Sequence, residues 1–342
     1  MPRSLSYPPK PVGEEGRNVR GRQCLVYLIT GNPGLVDYYE PFLSTLRRLL
    51  DETEERSPVS FHLFGRNLAG FEDDDHEPFT DNCPPHDLEF QVQHVFSHLM
   101  AMKIENGPRK GAYFDEVILI GHSVGSYISL EIFHRHFQKP DLAPHLNLRA
   151  GILLFATIAH LAKSPRGIYL ERMRLSPFFD RYMHRFARAF LWLWPGWAMR
   201  WYLASVMGMP PHAVATTARF LTSRDAVWQA LHLGKDEMRV IADDRWAEEL
   251  WEVTDEAVAH RHEVPKFFIL FGKEDYWVSN SHRDEFIKQR EEHRRREGPA
   301  HKKDRTRIVV DEGNLPHDFC INYSEVVAEK VKVFIDEIAK NP

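Results

Sequence analysis

The pentapeptide Gly121-His122-Ser123-Val124-Gly125 fits G-x-S-x-G, a pattern that raises a serine hydroxyl on a sharp turn between a strand and a helix. The flanking sequence supplies both neighbours: Val117 to Ile120 is a short apolar run, and SVGSYISLEIFHRHF after Gly121 reads as a helix. The two glycines have a physical task, because side chains two positions either side of the raised serine would strike the adjoining strand and helix. The competing reading of Ser123 is an N-capping serine in a glycine-bounded turn. A serine hydroxyl is a weak nucleophile, so the chemistry also needs a general base and an acid to orient it. Asp275 is the expected acid, placed just beyond the apolar run KFFILF and the Gly272 turn, with neighbouring Glu274 as the alternative. Of nineteen histidines, His317 is the expected base, on the loop that follows TRIVV near the end of the chain. His301 sits in a charged run and reads as solvated. His122 is expected to point beside the serine hydroxyl, and His160 to lie near the entrance to the inserted segment. A tetrahedral oxyanion needs backbone donors. Val124 N–H is the first, and Asn32 N–H in Gly31-Asn32-Pro33-Gly34 the second, since Pro33 carries no N–H; Leu35 is the weaker alternative.

The elements that must hold these residues alternate strand and helix. Gln23 to Thr30, Val59 to Gly65, Val117 to Ile120 and Ala150 to Ala156 are apolar strand candidates, and helical spacing marks Val36 to Leu50 and Asp87 to Met102 between them. Near-continuous apolar strands joined by helices predict a mostly parallel sheet covered on both faces, an α/β fold. The rhythm stops at about Ser164 and resumes with KFFILF, TRIVV and an amphipathic helix from Ser324 to Ile338. The expected organisation is therefore a flexible segment over 1–21, a core from 22–163 and 263–342, and a helical cap inserted over 164–262.

The 342 residues are 43% apolar, with 44 basic and 49 acidic side chains and three widely spaced cysteines, a composition that excludes disorder and a disulfide scaffold. A formal charge of −5 offers no general attraction to nucleic acid, and none is expected as a partner. There is no C-x-x-C, no H-E-x-x-H and no G-x-G-x-x-G after the first strand, so neither a metal nor a cofactor is expected. No signal-peptide pattern opens the chain, which predicts a cytoplasmic protein that is not secreted. The apolar stretch Ala189 to Met209 is broken by Pro195-Gly196 and charged by Arg200, which argues against a single membrane span.

Five segments together resemble the lipid droplet-associated hydrolases, a branch of the α/β-hydrolase superfamily. They are GNPGLVDYYEPFL (31–43), LEFQVQHVF (88–96), ILIGHSVGSYI (118–128), LLFATIAHLAKSPRG (153–167) and LPHDFC (315–320), spread over nearly the whole chain. Ala156 stands where the family pattern has proline, and Arg166 where it has asparagine. The resemblance implies a serine hydrolase acting on neutral lipid esters, triacylglycerol or sterol ester, at the droplet monolayer, with the endoplasmic reticulum membrane as a second surface. By position the family's catalytic residues fall on Ser123, Asp275 and His317. Two rival accounts are a droplet-binding or organising protein with weak or vestigial activity, and a soluble hydrolase of small esters.

Four of the eight tryptophans, Trp192, Trp194, Trp197 and Trp201, fall within ten residues of the inserted segment. From Arg172 to Arg200 six arginines meet one acid, Asp180. Arg181, Arg185 and Arg188 recur at helical spacing beside a stripe of Phe179, Tyr182, Phe186 and Phe190, as in a helix that lies in a headgroup layer. The competing expectation is that these aromatics are the packed underside of a lid.

Overall fold

A computed structural model describes residues 3–10, 21–243, 246, 250, 265–297 and 306–340. The apolar runs form buried strands: β2 (Arg22–Ile29), β3 (Val59–Arg66), β4 (Glu116–His122), β5 (Leu148–Leu154), β6 (Lys266–Gly272) and β7 (Thr306–Asp311). With β1 (Ser4–Tyr7) they make one seven-stranded sheet in the order β1-β3-β2-β4-β5-β6-β7, parallel throughout except for β1. Strands β2, β4, β5 and β6 are apolar along nearly their whole length because helices cover both faces, which leaves no strand side for water.

The first difference from the sequence reading is β1. Ser4–Tyr7 lies inside the segment expected to be flexible, yet it pairs antiparallel with β3, Ser4 opposite Arg66 and Tyr7 opposite Leu63. Four residues carry too little alternation to announce a strand, and the pairing is supplied by the exposed edge of β3. Residues 11–20, the expected core–cap boundary at 262/263 and His301 lie outside the described residues.

Helices α1 (Glu40–Glu54), α2 (Leu88–Ala101), α3 (Val124–Gln138), α9 (Asn280–Glu297) and α11 (Ser324–Lys340) connect or flank the strands. A single 3-10 turn, Val36–Tyr39, delays α1 by four residues relative to the spacing in the sequence. Between β5 and β6 the chain builds α4 (Pro165–Arg174), α5 (Pro177–Trp192), α6 (Gly196–Trp201), α7 (Pro211–Thr222) and α8 (Ala226–Val240). A short helix α10 (Phe319–Asn322) precedes α11.

Parallel register is what assembles a site. Ile29 is paired with Gly121, His122 with Leu154, and Gly272 with Asp311, so the strands end along one edge. The loops that follow them meet there, as expected of an open α/β sheet. All four positive-φ residues other than glycine among the described residues, Ser123, Phe155, His160 and Asn314, fall in segments just beyond the ends of β4, β5 and β7. Backbone strain is thus concentrated where the strands stop.

Candidate active site

Ser123 leaves β4 at φ 54° and ψ −121° and stands immediately before the first residue of α3. For a residue with a Cβ this is a costly conformation, held by Ser123 N–H donating to Leu154 O at 3.0 Å and Ser126 N–H donating to Ser123 O at 2.9 Å. The flanking glycines are required by contact. A methyl on Gly121 would overlap the Gly125 backbone, and one on Gly125 would overlap the Ile29 carbonyl oxygen.

The three residues expected from sequence come within hydrogen-bond reach of one another. His317 Nε2 lies 2.9 Å from Ser123 Oγ, and His317 Nδ1 lies 2.7 Å from Asp275 Oδ2. Asp275 is an acceptor only, so Nδ1 carries the proton and Nε2 faces the serine as an acceptor. The second Asp275 oxygen accepts from Trp277 N–H at 2.8 Å, which fixes the carboxylate plane. Its side chain is 2% exposed. Glu274, the alternative acid, is exposed and not part of this chain of bonds. The loop carrying Asp275 is gripped by two arginines. Arg283 donates to Gly272 O at 2.8 Å and Lys273 O at 2.7 Å, while the Arg166 guanidinium lies over the rings of Tyr276 and Trp277 at 5.3 and 5.8 Å.

Both ring nitrogens of His122 are bonded to groups other than the Ser123 hydroxyl, and the residue performs a different task. Its Nε2 donates to the carbonyl of His317 at 2.8 Å, and its Nδ1 accepts from Tyr39 Oη at 2.6 Å. Tyr39 Oη in turn accepts from Gly31 N–H at 3.0 Å. One line of hydrogen bonds therefore links the loop after β2 to the backbone of the base. Burial, reinforced by His317 nearby, pushes the His122 imidazole down to about 3, so it stays neutral and keeps one donor and one acceptor. Tyr39 enters the sequence reading only within the segment GNPGLVDYYEPFL, with no role assigned; its reach to a histidine 83 residues away has no local signal.

The loop after β2 places Asn32 beside Ser123. Its N–H has no partner among the described residues. Val124 N–H opens α3 directly beneath the nucleophile. Asn32, Ser123 and His317 line a cavity of about 220 Å³ whose far wall is the inserted segment, through Leu170, Met183, Gly234, Glu237 and Met238. The core and the insertion are tied by Tyr38 Oη with Thr217 Oγ1 at 2.8 Å and by the ion pair of Arg219 with Asp37.

Glu237 is the second residue that sequence reading passes over. It is buried on α8 and accepts from Asn32 Nδ2 at 2.9 Å. Burial pushes its carboxyl up to about 8, so at neutral pH it holds a proton. Ala230, Gly234 and Glu237 recur at i, i+4 and i+7, one face of a helix, and a glutamate on that otherwise small and apolar stripe is the signal that was available.

The aromatic residues of the insertion divide. Trp192, Trp197 and Trp201 are 83%, 76% and 60% exposed, and Phe186 and Phe190 are exposed with them. Trp194 is half-buried instead, packed on a small cluster of Met199, Leu203, Val214 and Ala218, its ring 5.5 Å from that of Tyr202. It turns inward because it follows the end of α5, where the chain folds back at Pro195. Arg181, Arg185 and Arg188 are exposed; Arg181 and Arg185 flank the Tyr182 ring at 5.7 and 5.6 Å, and Arg185 also meets Asp81 at 3.4 Å. Among the described residues no helix is long and apolar enough to cross a membrane.

A mostly parallel sheet with a serine raised between β4 and α3, and a histidine and aspartate on later loops, defines an α/β-hydrolase. The fold matches that of the enol-lactonase of Burkholderia xenovorans LB400, with a TM-score of 0.52 and 14% identity over 97% of this chain and 96% of the other. The family is narrower: the model of the lipid-droplet associated hydrolases matches residues 22–320, and the chain belongs to that family. It is 25% identical to a lipid droplet-associated hydrolase of Rattus norvegicus over 91% of this chain and 84% of that protein. It is 24% identical to the one of Gallus gallus, over 80% and 75% respectively.

Proposed function

We propose that the protein hydrolyses esters of neutral lipids at the surface of lipid droplets, through an acyl-enzyme on Ser123. The observation that carries this reading is His317 bridging Ser123 Oγ and Asp275 in the wall of a largely apolar cavity that Ser123 and His317 line. His317 Nε2 takes the hydroxyl proton as Ser123 Oγ bonds to the acyl carbon, and the carbonyl π electrons move onto oxygen, held by Val124 and Asn32 N–H. The tetrahedral intermediate collapses with cleavage of the ester C–O bond, and the departing alcohol leaves with the proton from His317. Water repeats the sequence on the acyl-enzyme and frees the acid. Asp275 stays ionised and orients the imidazolium.

Docking at the droplet falls to the outer side of the insertion, where Trp192, Trp197 and Trp201 enter the acyl boundary and Arg181, Arg185 and Arg188 meet phosphates. Trp194 belongs to the internal packing of that segment. Exposed large aromatics beside unburied arginines favour a surface role over lid packing for the other three tryptophans.

The test pairs two variants. Ser123→Ala lowers kcat on a triacylglycerol or sterol ester emulsion by a factor on the order of 10⁴ or more and leaves binding to droplets intact. Changing Trp192, Trp197 and Trp201 together to Ser abolishes flotation with phospholipid-coated emulsions while a soluble short-chain ester is still cleaved. An unchanged emulsion rate in Ser123→Ala rejects the hydrolase; unchanged flotation in the triple variant rejects the docking surface.

A further inference from the structure

Asn32 lines the cavity and ties it to the inserted helix α8 through its side chain. Nδ2 donates to Ala230 O at 3.0 Å and to Glu237 Oε1 at 2.9 Å. A backbone carbonyl only accepts, so the bond to Ala230 fixes which end of the amide is the nitrogen. That leaves Asn32 Oδ1 buried with no hydrogen-bond partner. Glu237 uses Oε1 toward Asn32, and its second oxygen has no protein partner among the described residues. Both residues line the cavity that holds Ser123 and His317. Gly234, one turn back on α8, keeps space open: a methyl there would only just touch Asn32 Nδ2, at 3.5 Å.

A buried polar atom left open beside a nucleophile, as Asn32 Oδ1 is, costs stability unless something fills it. Oδ1 is an acceptor. Because burial raises the Glu237 carboxyl to about 8, its free oxygen carries the proton at neutral pH and is a donor. A donor and an acceptor on two side chains that are hydrogen-bonded to each other and line one cavity match one chemical group, an alcohol hydroxyl, which both gives and receives a hydrogen bond. A fully apolar ester tail satisfies neither.

We propose that Glu237 and the Asn32 side chain form a hydroxyl-recognition site beside Ser123, which directs the enzyme to esters whose alcohol part carries a free hydroxyl, such as partial glycerides. The inference rests on the ester hydrolase reading and narrows its substrate class. Glu237 acts on specificity and does not take part in bond breaking. The site also gives a task to the carboxyl on an otherwise apolar stripe of α8.

The experiment compares kcat/KM for glyceryl monobutyrate and ethyl butyrate, a pair matched in acyl chain and differing in hydroxyls. Wild type favours the monobutyrate by at least about tenfold, since a site built for a hydroxyl discriminates against an analogue lacking it. Glu237→Leu removes that preference, and Glu237→Gln, which keeps a donor where the O–H stood, retains it. Labelling of Ser123 by a fluorophosphonate confirms that each variant is folded. Equal rates on both esters in wild type, or an equal loss on both in Glu237→Leu, overturns the hydroxyl site and assigns those atoms to water. Failure of folded wild type to cleave either ester overturns the hydrolase reading, and this one with it.

Discussion

Glu237→Gln separates folding energetics from chemistry. The wild-type carboxyl is buried on α8, raised by that burial and by Asp236 beside it, and lowered in part by the Asn32 amide. Lys235 and Arg174 line the same cavity, and their charges are included in the balance that the experiment reads. The carboxyl titrates near 8 in the fold against an ordinary 4.5 in the unfolded chain. Below 4.5 both states hold the proton. As pH rises from 4.5 to 8 the unfolded chain releases a proton that the fold retains, so this contribution to stability is present at low pH and is lost through that window. The interval spans roughly 3.5 pH units at about 1.4 kcal/mol each, a loss of about 5 kcal/mol. Glutamine keeps an oxygen for Asn32 Nδ2 and cannot ionise. Urea unfolding midpoints, measured in parallel from about pH 5 to 9, should show the variant gaining on wild type by a margin that grows with pH toward that figure. A difference that stays constant across the range would refute the assignment of a buried neutral acid.

At the acid end the sign reverses. His62, His86 and His98 are held at about 4 and His122 at about 3, mainly by burial, so stability present above 6.5 is lost as pH falls toward 4, and urea midpoints at pH 5 should lie below those at pH 7. Gly125→Ala should cost several kcal/mol, at or beyond the roughly 1–3 typical of overpacking, because the Ile29 carbonyl it meets is backbone and cannot rotate away. Gly196→Ala meets nothing within 4 Å and should be neutral or stabilise by up to about 1 kcal/mol, which thermal unfolding of the two variants will compare. His122→Phe removes the donor to the His317 carbonyl and should lower kcat roughly tenfold or more with little change in KM, as for a positioning residue.

The strands were legible because strands buried on both faces need continuous apolar sequence, as in QCLVYLI, KFFILF and ILIG. β1 was not, since an edge strand of four residues is specified by its partner more than by its own pattern. Ser123, Asp275 and His317 could be named from sequence because each follows a strand whose end the sheet must align at one edge. Roles set by distant contacts left no such mark. Arg283 opens a densely charged stretch of sequence, yet it is buried against the carbonyls after β6. Trp194 is indistinguishable by composition from its exposed neighbours, and only the turn at Pro195 sends it inward. Tyr39 becomes informative only when His122 is seen beside it, and Glu237, marked in the sequence only as a carboxyl on an apolar stripe, gains its role only with Asn32 beside it.

The central claim is that Ser123 is an activated nucleophile. A fluorophosphonate probe, followed by mass mapping of the labelled peptide, tests it most directly. The account predicts a single adduct on Ser123 in wild type, no adduct in Ser123→Ala, and labelling slowed strongly in His317→Ala. Absence of labelling in folded wild type, or equal labelling in Ser123→Ala, would contradict it.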